Sequence, residues 1–336
     1  MAGLSADELY LMQCASLLPL VGMNANFFID TIGSEYAKAL DMLCEAGWVR
    51  LRDNHKISLH PLIRTVVFYE KETQLTWCKI EHFAASLLEK CKYTDVSFFS
   101  AENFREFPAT SVYMCLSNIT QLCDIPDVWA ADIFETLAWE LYFINGSTGI
   151  DFLTRYILLN AALTCRENIL ETDTVSSDGK IKTDTQNISA LAGVWFKIGC
   201  LCANQFDHHE DACEAFCKAA DILSDCQIPN YFLVADCYGY AAYAYCQLEE
   251  FDQAIQHLQM ARDAFQKADT ICCDLYYPDS LPPTCFGFSY PDAIPQEVAC
   301  YYKHNEEYWN FSYIMTLIRN KFPFSPARFV RIDPNH

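Results

Sequence analysis

The spacing of apolar positions changes along this chain, and the changes divide it. Residues 47–64 read GWVRLRDNHKISLHPLIR, with Val49 and Leu51 alternating with Arg50 and Arg52. After Asp53, Asn54 and His55 the alternation resumes, with Ile57 and Leu59 between Lys56, Ser58 and His60. A period of two marks strands with one buried face. A three-residue loop sets Leu51 opposite Ile57 and Val49 opposite Leu59, so all four face a core. This predicts a β-hairpin whose second strand runs straight into His60 and Pro61. Proline suits the first turn of a helix, which places the His60 ring at a helix mouth.

On both sides of the hairpin the period is helical. Ser5 and Glu8 form a capping box, with Leu4 and Leu9 at the staple positions, and the first helix runs to about Leu18, where Pro19 stops it. A short apolar stretch over residues 26–32 leads into a second capped helix from Ser34, with Tyr36, Ala39, Leu40 and Leu43 as its buried stripe and Gly47 at C′. Past residue 70 the pattern is almost wholly helical. Helices are expected at 74–91, 101–122, 127–144, 150–170, 188–204, 210–224, 231–247, 251–267 and 294–321. Residues 172–187 lack an apolar period and read as an exposed loop.

Two helical pairs share a pattern. Trp195, Ile198, Gly199 and Cys202, then Ala212, Phe216 and Ala219, align with Tyr238, Ala241, Ala242 and Tyr245, then Phe251, Ala254, Leu258 and Ala261. Small residues are needed where two helices of a hairpin cross closely, and the second set fits the tetratricopeptide template at its normal spacing. The first set has one extra residue in its loop.

The N-terminal segments LSADELYLMQCASLLPL, SEYAKALDMLCEAGWVRL and ISLHPLIRTVV together resemble the winged-helix domain of the STAND (NB-ARC type) regulatory ATPases. The resemblance is to the bacterial form whose C-terminal half consists of tetratricopeptide repeats. It implies a mainly α chain. Residues 1–70 would form a small winged helix with a β-hairpin, and residues 71–268 an α-solenoid of tetratricopeptide-like hairpins, clearest at 188–268. Residues 269–336 would hold an aromatic, proline-rich loop, a capping helix and a tail. In that family a histidine at this position touches the phosphates of ADP bound by the preceding domain, which makes His60 the candidate nucleotide contact. Here the motif reads Leu59-His60-Pro61, so the histidine matches and the family's acidic residue is absent.

Composition narrows the partners. The net charge of −21 argues against a nucleic-acid or anionic-membrane surface, either of which needs a basic footprint. Residues 1–70 alone carry five Lys and Arg against eight Asp and Glu. The 18 cysteines are scattered through helical patterns among Ala and Leu, as small core residues are. MAGLSADELYLM is acidic where a secretion signal is basic, and no run of about 18 apolar residues occurs, so a reducing cytoplasm is the expected compartment.

Little catalytic chemistry is legible. No G-x-x-x-x-G-K-[ST] loop is present, and the nearest string, Ser177 to Ile181, lacks the first glycine and the magnesium-holding hydroxyl. No G-x-S-x-G elbow or C-x-x-C pair occurs either. His208, His209, Cys213 and Cys217 have spacing that a zinc ion could use, but two helical cysteines flanking Ala212 and Phe216 are better explained as core thiols. The expectation is a non-enzymatic scaffold or regulatory sensor without cofactor or metal. It would bind a protein or peptide with basic segments through a groove that includes Tyr238, Tyr243 and Tyr245. One alternative is the sensor half of an ATP/ADP switch whose P-loop nucleotide-binding domain lies on another chain or is missing. Another is a winged-helix transcription regulator, although a helix over 34–46 carrying Glu35, Lys38, Asp41 and Glu45 is not the basic recognition helix it would need.

Overall fold

The computed structural model describes residues 3–52, 55–69, 75–92, 108–141, 151–173, 185–203, 208–226, 229 and 231–272. Within them the chain is mainly helical, with one three-stranded antiparallel sheet. It divides into two compact units, Met1–Ala162 and Leu163–His336. The expected helix at 294–321 and the aromatic loop before it lie outside the described residues.

The first unit begins with α1 (Ala6–Ser16), β1 (Met23–Asn24), α2 (Ala25–Ile32), a 3₁₀ turn (Ser34–Tyr36) and α3 (Ala37–Glu45). β2 (Val49–Arg52), β3 (Lys56–Leu59) and α4 (Pro61–Tyr69) follow. The Ser5 hydroxyl accepts the Glu8 N–H at 3.2 Å while the Glu8 carboxylate takes the Ser5 N–H at 2.7 Å, so the capping box forms as read. Gly47, at φ 76°, ends α3. Its N–H bonds the Cys44 carbonyl and the Trp48 N–H bonds that of Leu43, the pair of reversed bonds that a left-handed residue permits.

Two expectations change here. The stretch over 26–32 is a helix, α2, because Asn24 caps it by accepting the Phe27 N–H at 3.1 Å. Ser34 starts a 3₁₀ turn with no side-chain cap, and α3 begins only at Ala37.

The sheet order is β1-β3-β2, with Val49 opposite Leu59 and Leu51 opposite Ile57, as the alternation requires. Leu51, however, is 57% exposed while Ile57 is fully buried. β3 is the central strand and takes β1 on its other side through Met23 and Ile57, whereas Leu51 sits on an edge strand beside the turn of the hairpin. Register alone does not bury a side chain at a sheet corner.

α5 (Trp77–Lys92), α6 (Ala109–Leu122), α7 (Asp127–Glu135) and the first part of α8 (Phe152–Asp173) complete this unit. Phe28 of α2 meets Phe83 of α5 edge to face at 5.8 Å, and both are fully buried. α7 runs into a π-helical stretch over Thr136–Glu140. There the buried Arg155 of α8 donates through Nε to the Ala138 carbonyl at 2.8 Å and lies over the Trp139 ring at 5.5 Å.

The loop after α1 has few backbone partners, and side chains from other elements hold its carbonyls instead. Asn118 Nδ2 donates to Leu17 O at 2.8 Å, Arg52 Nη2 to Leu20 O at 3.1 Å and Ser111 Oγ to Gly22 O at 3.1 Å. Arg64 Nη2 donates to Leu18 O. Leu17 and Leu18 are fully buried, so a carbonyl freed among them loses its partner away from water. Asn118→Leu is therefore expected to cost about 1–3 kcal/mol, read as a shift in urea midpoint at unchanged slope.

The second unit holds the rest of α8, then α9 (Thr185–Ala203), α10 (His209–Ser224), α11 (Tyr231–Gln247) and α12 (Phe251–Cys272), each from α9 onward packed on its successor. α9 begins inside the stretch read as a loop, and α12 outlasts its expected end at 267. Phe196, Phe216 and Tyr240 form its aromatic centre, with ring centroids 5.2–5.4 Å apart. No described helix is long and apolar enough to cross a membrane.

Candidate functional site

His60 lies between β3 and α4, and its carbonyl accepts the Arg64 N–H at 3.0 Å, so it is the N-cap residue of that helix. Its ring is part of the cap: Nδ1 accepts the Leu62 N–H at 3.2 Å. An accepting Nδ1 leaves the ring proton on Nε2. One of the free N–H groups that a phosphate would use at this helix end is thereby already taken. Arg64, one turn along, is half-buried, and burial pulls its guanidinium below its ordinary value.

The three candidate tyrosines all lie on α11. Tyr238 and Tyr245, two turns apart, meet the same partner in α12: their rings lie 6.1 Å and 4.7 Å from the His257 ring. Burial pushes both phenols up to about 12, with Asp221 adding to Tyr238 and Cys217 to Tyr245. Tyr238 is buried and Tyr245 half-buried. Tyr243, half-buried, points away from this pair, as its position on the helix turn requires, and burial raises its phenol too.

Compared with known protein families and with curated proteins, the chain matches none.

At the centre of the tyrosine pair is a contact that sequence reasoning missed. Cys217 Sγ of α10 lies 3.3 Å from His257 Nε2 of α12, and His257 Nδ1 lies 2.8 Å from the Gln253 carbonyl. A carbonyl can only accept, so Nδ1 carries the ring proton and the Nε2 lone pair faces the thiol. The two residues are forty positions apart, and no local spacing signals a contact set by how α10 and α12 pack. Burial, then Asp221, lifts the Cys217 thiol to about 11, with a hydrogen bond from the Tyr245 hydroxyl pulling the other way.

The residues with zinc-like spacing go separate ways. His208 Nδ1 pairs with Asp211 Oδ2 at 2.8 Å, Cys213 points at the Ala241 carbonyl, and Cys217 meets His257. Among the described residues no group of three or more His, Cys, Asp or Glu is placed to hold a metal ion. Burial raises Cys202, Cys213 and Cys246 to about 12 and holds Cys200 and Cys237 well above the ordinary thiol value. These thiols are protonated at neutral pH.

Where α11 turns into α12, residues Glu249, Glu250, Phe251, Asp252 and Gln253 line an open depression of about 480 Å³. Three of the five carry carboxylates, and Glu249 takes a positive φ of 61° to make the corner.

His209, buried in the first turn of α10, supplies a pH dependence. Burial lowers its folded-state pKa below the ordinary 6.5. As pH falls through that ordinary value the unfolded chain takes up the proton first, so stability is complete above it and declines towards the folded pKa. Thermal melts of wild type should lose more Tm between about pH 7.5 and 5.5 than melts of His209→Gln; equal losses would show that this ring is not the cause.

Proposed function

We propose that the chain is a protein-interaction scaffold without catalysis of its own, in which tetratricopeptide-like hairpins hold a peptide segment of a partner. The observation that carries this reading is the burial of most template positions, with Trp195, Tyr245 and Phe251 half-buried. Ile198, Gly199 and Cys202 of α9, Ala212, Phe216 and Ala219 of α10, Ala241 and Ala242 of α11, and Ala254, Leu258 and Ala261 of α12 are all buried. Hairpins of that kind bury only one side against their neighbours and leave the other for a ligand.

The N-terminal element order α1-β1-α2-α3-β2-β3-α4, with sheet order β1-β3-β2, supports reading residues 1–70 as a winged helix. Its α3 exposes Asp41 and Glu45 alongside Met42, which favours a packing role over duplex reading.

The partner segment is basic on this reading. Glu210, Asp211, Glu214, Asp221, Glu249, Glu250 and Asp252 are all exposed in the second unit. Binding of lysine- and arginine-rich peptides to the full chain, followed by fluorescence anisotropy, should weaken with salt. It should also weaken when Glu249, Glu250 and Asp252 are together changed to lysine. Equal binding of acidic and basic peptides, or of neither at low salt, would overturn the reading.

A second reading, favoured by His60 at the mouth of α4, is the sensor half of a nucleotide switch acting with a P-loop domain. ADP affinity of the mixture unchanged by His60→Ala would exclude it.

A further inference from the structure

The Cys217–His257 pair has the arrangement of a nucleophile and its base: a thiol within hydrogen-bond reach of an imidazole nitrogen, and that imidazole held in one tautomer by a third group. We propose that Cys217 is an oxidation site for small hydroperoxides, with His257 taking the thiol proton. This goes beyond the scaffold reading and does not depend on it.

Access and chemistry fit together. Cys217 is partly exposed, whereas Cys213 and Cys237 near it are buried, so of the three it is the one with surface open to solvent. The sulfur rests as a thiol, because burial and the Asp221 carboxylate disfavour its anion. A base positioned at Nε2 is what such a thiol needs in order to react at neutral pH. The other groups facing the pair are Tyr238 and Tyr245, with Glu250 also acting on Tyr245.

In the step, His257 Nε2 accepts the thiol proton and the sulfur electron pair attacks one peroxide oxygen. The O–O bond breaks, and the departing oxygen takes the proton back from the imidazolium and leaves as water. Sulfur is oxidised to the sulfenic acid and the peroxide is reduced to water, with no further reactant. The Tyr245 hydroxyl, hydrogen-bonded to the sulfur, steadies the charge that develops there.

The test treats the reduced full-length chain with hydrogen peroxide, traps sulfenic acid with dimedone and quantifies each cysteine by peptide mass spectrometry. Cys217 is expected to be labelled ahead of Cys78, which is exposed and beside the Thr76 hydroxyl. His257→Gln should slow Cys217 at least about tenfold and leave Cys78 unchanged. Tyr245→Phe, which keeps the ring, should slow it less. The wild-type chain gives a readout that needs no variant: labelling of Cys78 ahead of Cys217 would overturn the proposal. So would equal labelling in wild type and in a folded His257→Gln variant.

Discussion

Phe216→Ala is expected to lower the stability of the Leu163–His336 unit by roughly 3–5 kcal/mol, the cost of emptying a fully buried aromatic site. The ring stands edge-on to Phe196 at 5.3 Å and stacked on Tyr240 at 5.4 Å, so it joins α9, α10 and α11 at one point. Hydrogen exchange resolved by peptide mass spectrometry on the full chain checks this. Protection should fall across residues 185–247, and slow amides in the Met1–Ala162 unit should stay slow. A loss confined to α10 would mean that the ring holds one helix rather than three.

The same site makes a sharper claim about Gly199. A Cβ added there would lie 2.7 Å from the Cδ1 and Cε1 atoms of Phe216. That ring is walled in by Phe196 and Tyr240 and cannot swing aside. Gly199→Ala should therefore destabilise by about 1–3 kcal/mol, although alanine is the better helix former by about 1. Combining it with Phe216→Leu should cost less than the sum of the two, because the smaller side chain leaves room for the methyl.

What could be read in the sequence follows from what is local. The Ser5–Glu8 box, the Gly47 terminus and the hairpin register depend on residues at most eleven apart, and each stands where the pattern put it. α11 runs over Tyr231–Gln247 as its spacing requires, since a helix that is apolar on several sides and bounded by turns leaves little choice of ends. β1 is two residues long and is a strand only because β3 lies beside it, so nothing in Met23-Asn24 signals it. α2 was obscured by Phe27, Phe28 and Ile29 in succession, a run that shows no period; the Asn24 cap decided it. The candidate site was half legible. Tyr238 and Tyr245 are seven apart and so share a helix face, but the His257 and Cys217 they meet belong to other helices. Contacts between helices are fixed by crossing geometry, which a single sequence does not display.

Ile57→Ala should cost roughly 2–5 kcal/mol while Leu51→Ala, directly across the hairpin, should stay within about 0.5. The two side chains are cross-strand partners on one face of the sheet, and the alternation of the sequence gives them the same role. Their surroundings differ. Ile57 lies on the middle strand, with Met23 of β1 on one side and Leu51 on the other, and has no exposed surface. Leu51 closes only the outer side of that row and keeps 57% of its surface in water. Truncating Ile57 opens a cavity that β1 and β2 cannot both collapse into, whereas truncating Leu51 removes apolar surface that is mostly solvated already. Urea unfolding of the two variants, with hydrogen exchange over residues 47–64 as the local readout, separates the cases. Equal losses would mean that Leu51 is covered in solution, and the segment covering the end of β2 would then be the next thing to locate.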